Sequence, residues 1–215
     1  GAFNYFKPDG NRGLTEQNAA VEPPADFYAT DAFTDKACEY ISQAVESDDR
    51  PFFLYLAYNA PHWPLNAKWE DFKKYQGKYT GGWQSLMKSR LEKQRQLGLW
   101  EEEFEPAPHV GPEWESLTDK QRKDLDAIMA AYAGCIDSID QNIGKLTQHL
   151  RELNQLDNTL ILFLSDNGAC QEGGTLGNGS ERMVKNPPAG TAGVRLGLAW
   201  ANACNTPFRL YKHFL

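Results

Sequence analysis

One periodic stretch constrains the fold of this 215-residue chain more than any other feature. Between Thr118 and Asn154, apolar residues recur at spacings of three and four, which is the pattern of an amphipathic helix. Thr118 and Gln121 fit a capping box, in which the two side chains satisfy free amides at a helix start. The rise per residue predicts a helix on the order of 50 Å long. Its apolar positions are Leu125, Ile128, Met129, Tyr132, Ile136, Ile139, Ile143, Leu146, Leu150 and Leu153.

A short apolar run lies on each side of this helix. Residues 52–57 and residues 159–164 are bounded by turn formers and are too short to span a membrane, so both are predicted strands. The second run is expected to be buried on both faces. A strand, a crossover helix and a second strand form a βαβ unit, whose strands are parallel. The predicted fold class is therefore α/β, with a mostly parallel sheet flanked by helices.

Two further segments complete the predicted organisation. A helix is expected to start at Thr30, as N-cap, and to end at Ser47. Residues 66–117 are interpreted as an insertion between core elements, with an amphipathic piece from Trp83 to Leu91. The aromatic residues of that piece are predicted to serve packing rather than ligand binding.

Polar residues follow both predicted strands. Asp166, Asn167 and Gly168 come directly after the second strand, and His62 lies after the first in a loop stiffened by Pro61 and Pro64. Parallel strands end at the same edge of a sheet, so His62 and the Asp-Asn pair are expected to face one site. Asp and Asn offer the hard oxygen ligands that Ca²⁺ or Mg²⁺ prefers.

Each of these residues also has a plainer interpretation. A lone histidine after a strand most often caps a turn. Asp-Asn-Gly is a common turn sequence, because Asn and Gly tolerate left-handed backbone conformations. Lys212, near the end of the chain, would by itself be one more solvated surface charge.

Composition excludes some classes of function. The net charge is −7 and the pI is near 5.2, which argues against a nucleic-acid surface because phosphate binding needs a clustered positive patch. No membrane span is present in the sequence, and an anionic substrate would need local cations or a metal. The four cysteines lack metal-type spacing, so two disulfides or four free thiols are equally open.

Several motifs together resemble a known family. Residues 51–65, Pro-Phe-Phe-Leu-Tyr-Leu-Ala-Tyr-Asn-Ala-Pro-His-Trp-Pro-Leu, resemble a segment of the sulfatases in the alkaline phosphatase superfamily. Residues 132–168 are similar to the long helix and metal-binding strand of that family. Residues 74–79 and 209–212 resemble a bacterial arylsulfatase subgroup. The matching segments cover most of residues 30–215, in the order and spacing of the family.

The resemblance implies roles for the candidate residues. Asp166 and Asn167 would be two ligands of a single divalent cation. This cation is usually Ca²⁺ in the family, and Mg²⁺ is the alternative. His62 and Lys212 would contact the sulfate group, with His62 near the leaving-group oxygen as proton donor. The family's nucleophile is a formylglycine made in a C/S-x-P-x-R signature near the N-terminus, and this chain lacks that signature. The run from Cys204 to Arg209 has an extra residue before its proline and lies far downstream of the expected place.

We therefore expect residues 1–215 to be the central part of a sulfatase catalytic domain, without the nucleophile region and the C-terminal subdomain. The intact protein is expected to hydrolyse sulfate esters, either aryl sulfates or sulfated glycans, and the piece alone to be inactive. The alternatives are a phosphoester or phosphonate ester hydrolase of the same superfamily and a non-catalytic domain that binds a sulfated glycan. Bacterial sulfatases are often exported, so the resemblance favours a periplasmic or extracellular location, while the oligomeric state is not indicated.

Overall fold

The computed structural model describes residues 3–8, 13–47, 51–101, 103, 105–190 and 192–214. This part of the chain is mainly helical, and none of its helices is long and apolar enough to cross a membrane. Two short strands, β1 and β2, form an antiparallel hairpin. The elements in chain order are β1 (Leu14–Glu16), β2 (Ala19–Val21), α1 (Ala29–Ser47), α2 (Trp69–Tyr75), α3 (Gly82–Gln96), α4 (Asp119–Glu152), α5 (Glu181–Lys185) and α6 (Leu198–Cys204), with 3-10 turns at Trp114–Ser116 and Leu156–Asn158.

Helix α4 confirms the helix predicted from the apolar period. It has 34 residues and begins with the predicted capping box. The Thr118 Oγ1 accepts from the Gln121 backbone N–H at 3.3 Å, and the Gln121 Oε1 accepts from the Thr118 backbone N–H at 2.9 Å. The helix ends at Glu152, two residues before the predicted end, and Asn154 turns the chain with a φ of 55°.

Helix α1 also lies where the sequence predicted it, but its start differs. It begins at Ala29, so Thr30 is inside the first turn and the prediction of Thr30 as N-cap is wrong. Polar contacts join α1 to α4. The Asn142 Nδ2 donates to Asp31 Oδ1 at 2.8 Å, and Lys145 forms an ion pair with Asp35. Both contacts link the two helices side by side.

The segment predicted as an insertion packs through a cluster of three tryptophans. Trp83 from α3, Trp114 and Trp200 from α6 meet edge-to-face or tilted, with ring centroids 4.9 to 5.8 Å apart. Each indole N–H donates to a backbone carbonyl, and the Trp200 Nε1 reaches the Leu125 carbonyl of α4 at 3.1 Å. Trp83 and Trp200 have no exposed surface. These aromatic residues therefore serve packing, as the sequence predicted.

The two predicted strands form no β-ladder, either with each other or with other residues that the structure describes. Residues 52–57 lie outside helices and strands and alternate in exposure, with Phe53 and Tyr55 exposed and Phe52, Leu54 and Leu56 half-buried. Residues 160–164 are exposed throughout, and Leu160 has 85% of its surface open. The predicted burial of this run on both faces is therefore wrong for this chain, because burial requires strands and helices on both sides that the described residues do not supply. The predicted parallel sheet is not confirmed.

All four cysteines are free thiols, which answers the question that their spacing left open. Cys38 and Cys135 are buried, whereas Cys170 and Cys204 are partly accessible. Although part of the residue is accessible, desolvation of the Cys204 thiol raises its pKa to about 12, and the nearby Arg90 acts to lower it. This thiol is therefore protonated at neutral pH.

Candidate functional site

The predicted metal turn lies directly against the segment that carries Lys212. The Lys212 backbone N–H donates to the Ala169 carbonyl at 3.0 Å. A Cβ added at Gly168 would lie 3.0 Å from the Lys212 nitrogen and 3.2 Å from the Tyr211 carbonyl carbon. A side chain at this position would therefore crowd the two backbone segments, which glycine lets approach closely. Gly168 follows Asp166 and Asn167 directly, so the two candidate ligands lie beside Lys212.

A residue that the sequence analysis missed, Asn205, fastens this turn. Its Oδ1 accepts from the Ala169 backbone N–H at 2.9 Å, and its Nδ2 would be 2.7 Å from a Cβ at Gly168. Asn205 directly follows α6, and its own N–H donates to the Asn202 carbonyl at 3.1 Å. An asparagine before Thr-Pro is typical of an ordinary turn, so the sequence carries no stronger sign of this contact.

Asp166 and Asn167 are both exposed at the end of the extended segment. The Ser165 hydroxyl donates to the Asn167 backbone carbonyl at 2.8 Å. This hydrogen bond does not use the side chains of Asp166 and Asn167. One carboxylate and one amide oxygen match the preference of Ca²⁺ and Mg²⁺ for oxygen donors. Within the described ranges, no group of three or more His, Cys, Asp or Glu side chains could hold a metal ion. The two residues thus fit such a cation in chemistry and supply part of its ligand set.

The ring of His62 is oriented by a contact to the next residue. Its Nδ1 lies 2.8 Å from the Trp63 carbonyl oxygen. Because a carbonyl oxygen only accepts, Nδ1 must carry the hydrogen. No hydrogen-bond partner of Nε2 is found among the residues that the structure describes. In the neutral ring this nitrogen is an acceptor, and in the protonated ring it is a donor.

Further contacts to the backbone of His62 hold the turn around it. The His62 N–H donates to the Asn59 carbonyl at 2.9 Å, and the Tyr5 hydroxyl donates to the His62 carbonyl. Pro61 and Pro64 both follow cis peptide bonds. The contact of Nδ1 with the Trp63 carbonyl is the contact expected of a histidine that caps a turn, and a catalytic role of His62 stays a prediction.

Tyr5 and Cys170 each lie beside one of the candidate residues. Burial raises the pKa of the Tyr5 hydroxyl well above its ordinary value, and Cys135 and Cys170 are among the neighbours that raise it further. Burial likewise raises the pKa of the Cys170 thiol, while the positive charge of Lys212 acts to lower it. Tyr5 thus contacts the His62 carbonyl, and Cys170 directly follows Ala169, whose carbonyl accepts from the Lys212 backbone N–H.

A guanidinium adds a further contact between the His62 loop and the chain that follows the candidate ligands. The Arg195 Cζ lies 4.7 Å from the centroid of the Trp63 ring, which is a cation–π contact. The backbone of Arg195 exchanges two hydrogen bonds with Asn178, of 3.0 and 2.7 Å. Through Arg195, the loop that contains Asn178 is therefore in contact with Trp63.

Comparison with known proteins identifies the family of this chain. Residues 2–213 match the family model described as Sulfatase. The chain belongs to the sulfatase family. It is 34% identical over 204 residues to the uncharacterized sulfatase PB10D8.02c of Schizosaccharomyces pombe, covering 88% of this chain and 36% of that one. It is 32% identical over 216 residues to an arylsulfatase of Klebsiella aerogenes, covering 96% of this chain and 44% of that one.

Solved structures contain similar chains as well. The crystal structure of Ps i-CgsB in complex with k-i-k-neocarrahexaose shares 31% sequence identity with this sulfatase chain, at a TM-score of 0.45 over 73% of this chain and 24% of the other. The chain spans less than half the length of the two curated sulfatases named above. The family assignment rests on the sequence matches.

Proposed function

We propose that the protein containing this chain hydrolyses sulfate esters, with His62, Asp166, Asn167 and Lys212 in its active site. The contact of the Ala169 carbonyl with the Lys212 backbone is the observation that carries the proposal, because it brings the Asp-Asn turn beside a lysine. A carboxylate, an amide oxygen and an ammonium group suit a site that binds a cation and an anionic ester together. Membership of the sulfatase family supports the choice of a sulfate ester.

Lys212 and His62 would act on different parts of the ester. The ammonium of Lys212 would donate charge-assisted hydrogen bonds to the sulfuryl oxygens. His62, with Nδ1–H already directed at the Trp63 carbonyl, would carry its second hydrogen on Nε2 when protonated. That nitrogen would give the proton to the oxygen of the leaving alcohol, which is the role of a general acid.

Asp166 and Asn167 would contribute two oxygen ligands to a Ca²⁺ ion, or to Mg²⁺. Such a cation offsets the negative charge of the ester and of the transition state when bound. The attacking group is proposed to be a formylglycine from a part of the protein outside these 215 residues, since no C/S-x-P-x-R signature occurs among them. This chain would then supply binding of the ester and transfer of a proton.

The same reasoning gives a proposal for the domain. Residues 1–215 would be the central part of a sulfatase catalytic domain whose parallel sheet includes residues 52–57 and 159–164. The exposure of Phe53, Tyr55 and Leu160 supports this proposal, because apolar strands of an α/β sheet need cover on both faces. The chain spans only 36% and 44% of the length of the two curated relatives, which also supports the proposal that it is part of a larger domain.

Assays on the full-length protein test the proposed reaction. We expect turnover of p-nitrophenyl sulfate that exceeds turnover of p-nitrophenyl phosphate, and no turnover of either ester by residues 1–215 alone. Faster turnover of the phosphate would instead favour a phosphoester hydrolase. A full-length protein that binds sulfated glycans and turns over neither ester would contradict the proposal and favour a non-catalytic binding domain.

Replacing Asn205 by Ala is expected to weaken binding of Ca²⁺ about tenfold, because residues that orient metal ligands affect affinity by this order. The substitution removes the acceptor for the Ala169 N–H and so loosens the turn that follows Asn167. Asn205→Asp keeps an acceptor oxygen and should retain most of the affinity. The measurement is a calcium titration of the full-length protein by calorimetry.

The control for this titration is Asn186→Ala, an exposed asparagine at the end of α5. Its affinity for Ca²⁺ should equal that of the unaltered protein. Equal affinities of the Asn205→Ala and unaltered proteins would show that Asn205 does not orient the cation ligands.

A further inference from the structure

The sequence contains two Asn-Gly pairs, Asn167-Gly168 and Asn178-Gly179. An asparagine side chain loses its amide most readily before glycine, because the backbone nitrogen of the next residue attacks that side chain. Glycine has no side chain to hinder this attack and adopts a wide range of backbone conformations. Both asparagines are exposed. The two pairs nevertheless lie in different backbone environments, so exposure alone does not determine which of them reacts.

The first pair lies in a bend outside helices and strands. Asn167 and Gly168 are both exposed. Within the described ranges, neither the side-chain amide of Asn167 nor the backbone N–H of Gly168 forms a hydrogen bond. The turn is fastened one residue further along, where the N–H and carbonyl of Ala169 are bonded to Asn205 and Lys212. The nitrogen that would attack Asn167 is therefore not held by an acceptor.

A hydroxyl contacts the same peptide group. The Ser165 Oγ donates to the backbone carbonyl of Asn167 at 2.8 Å. This carbonyl and the Gly168 nitrogen belong to one peptide unit, whose electrons are delocalised over both atoms. The nitrogen must lose its proton before it attacks, and the negative charge that develops is shared with the carbonyl oxygen. Hydrogen bonds to a charged acceptor are stronger than neutral ones, so the Ser165 hydroxyl favours the reaction.

The second pair is held by both its backbone and its surroundings. The Asn178 N–H donates to the Arg195 carbonyl at 3.0 Å, and the Asn178 carbonyl accepts from the Arg195 N–H at 2.7 Å. A Cβ added at Gly179 would lie 2.7 Å from the Val194 side chain and 2.8 Å from that of Ile128. Attack by the Gly179 nitrogen requires rotation of the Asn178 backbone, which breaks the pairing with Arg195.

We propose that Asn167 is a site of spontaneous deamidation and that a bound cation protects it. The deprotonated Gly168 nitrogen attacks the Asn167 Cγ, the new C–N bond closes a succinimide, and the Cγ–Nδ2 bond breaks with release of ammonia. Water then opens the succinimide at either carbonyl, which leaves aspartate or isoaspartate at position 167. The protection by a cation rests on the proposed function, in which the amide oxygen of Asn167 is a ligand and its side chain is held away from the Gly168 nitrogen.

Each product changes the candidate cation site. Aspartate at position 167 adds a negative charge next to Asp166. Isoaspartate places the side-chain methylene in the main chain, which displaces the carboxylate and lengthens the chain before Gly168. A Cβ added at Gly168 would lie only 3.0 Å from the Lys212 nitrogen, so there is little room for the longer chain. Protein kept without its cation should therefore lose its ligand geometry with time.

The test is peptide mapping by mass spectrometry of the full-length protein after incubation with EDTA at mildly alkaline pH. One digest reports both pairs, and fragmentation of the peptides separates isoaspartate from aspartate. We expect Asn167 to deamidate at least about tenfold faster than Asn178, because breaking two backbone hydrogen bonds lowers the reactive population by this order. Ser165→Ala should slow the reaction at Asn167 about threefold, since one hydrogen bond to the reacting peptide is lost. The control Ser89→Ala, at an exposed serine of α3, should leave both rates unchanged.

Calcium separates this proposal from the proposed function. At a Ca²⁺ concentration about ten times Kd, deamidation of Asn167 should slow about tenfold, because only the unoccupied fraction reacts, while Asn178 is unaffected. Fast deamidation of Asn167 that Ca²⁺ does not slow would retain the modification site and overturn its protection, and with it the role of Asn167 as a ligand. In a protein that turns over p-nitrophenyl sulfate, a rate at Asn167 no faster than that at Asn178 in EDTA would overturn the site and leave the function. An unchanged rate in Ser165→Ala would overturn the role of that hydroxyl.

Discussion

Replacing Lys212 by Ala in the full-length protein is expected to lower kcat/KM for p-nitrophenyl sulfate by about 10²–10³-fold, the order found when one donor to a developing anion is removed. The substitution removes the ammonium that would bind the sulfuryl oxygens. It retains the backbone N–H that donates to the Ala169 carbonyl at 3.0 Å, because every non-proline residue has this group. The loss should therefore arise from the side chain rather than from displacement of the Asp166 turn.

The measurement is steady-state kinetics with a parallel unfolding curve. Lys123→Ala, an exposed lysine on α4, is the matched control and should change kcat/KM by less than about twofold. If Lys212 were only a solvated surface charge, its replacement would behave like this control. That result would remove Lys212 from the proposed active site.

Replacing Gly197 by Ala is expected to destabilise the protein by about 3 kcal/mol or more, through both backbone strain and overpacking. Gly197 has a φ of +80°, and an added Cβ would lie 2.1 Å from the Gly177 nitrogen. The backbone around it joins two segments near the site. The Gly197 N–H donates to the Glu172 carbonyl and the Leu198 N–H to the Gly174 carbonyl, both at 3.0 Å.

Chemical unfolding of the full-length protein measures this effect. Gly144→Ala provides the matched control, because Gly144 lies inside α4 and an added Cβ would have no neighbour within 4 Å. That change should be neutral or should stabilise the helix by up to about 1 kcal/mol. If both variants unfold at the same denaturant concentration, the close approach of Gly197 and Gly177 does not limit stability.

The helical part of the fold could be predicted from sequence because its signals are local. The capping box of Thr118 and Gln121 and the apolar period of α4 are complete within the helix itself. The start of α1 was missed by two residues, because Thr30 as N-cap would make Asp31 the first helical residue, whereas that residue is Ala29. The exposure of residues 160–164 could not be predicted. Whether an apolar run is buried depends on the elements that pack against it, and the run itself does not encode them.

The candidate site was predicted from two kinds of signal, the ends of apolar runs and the family resemblance that added Lys212. His62, Asp166 and Asn167 follow apolar runs and could be singled out, although their roles stay predictions. Asn205 and its contact with Ala169 depend on the path of the chain through α5 and α6, which no local pattern encodes.

The open segments 52–57 and 159–164 have a consequence for the behaviour of the chain in solution. An apolar strand without ladder partners offers rows of free N–H and C=O groups to another molecule. Residues 159–164 combine β-favouring apolar side chains with no charge, which is the composition of segments that stack between copies. Chains of 215 residues made alone should therefore associate through these segments as concentration rises. Turnover by this piece should accordingly be scored on the monomer fraction, so that lack of catalysis is separated from loss of soluble protein.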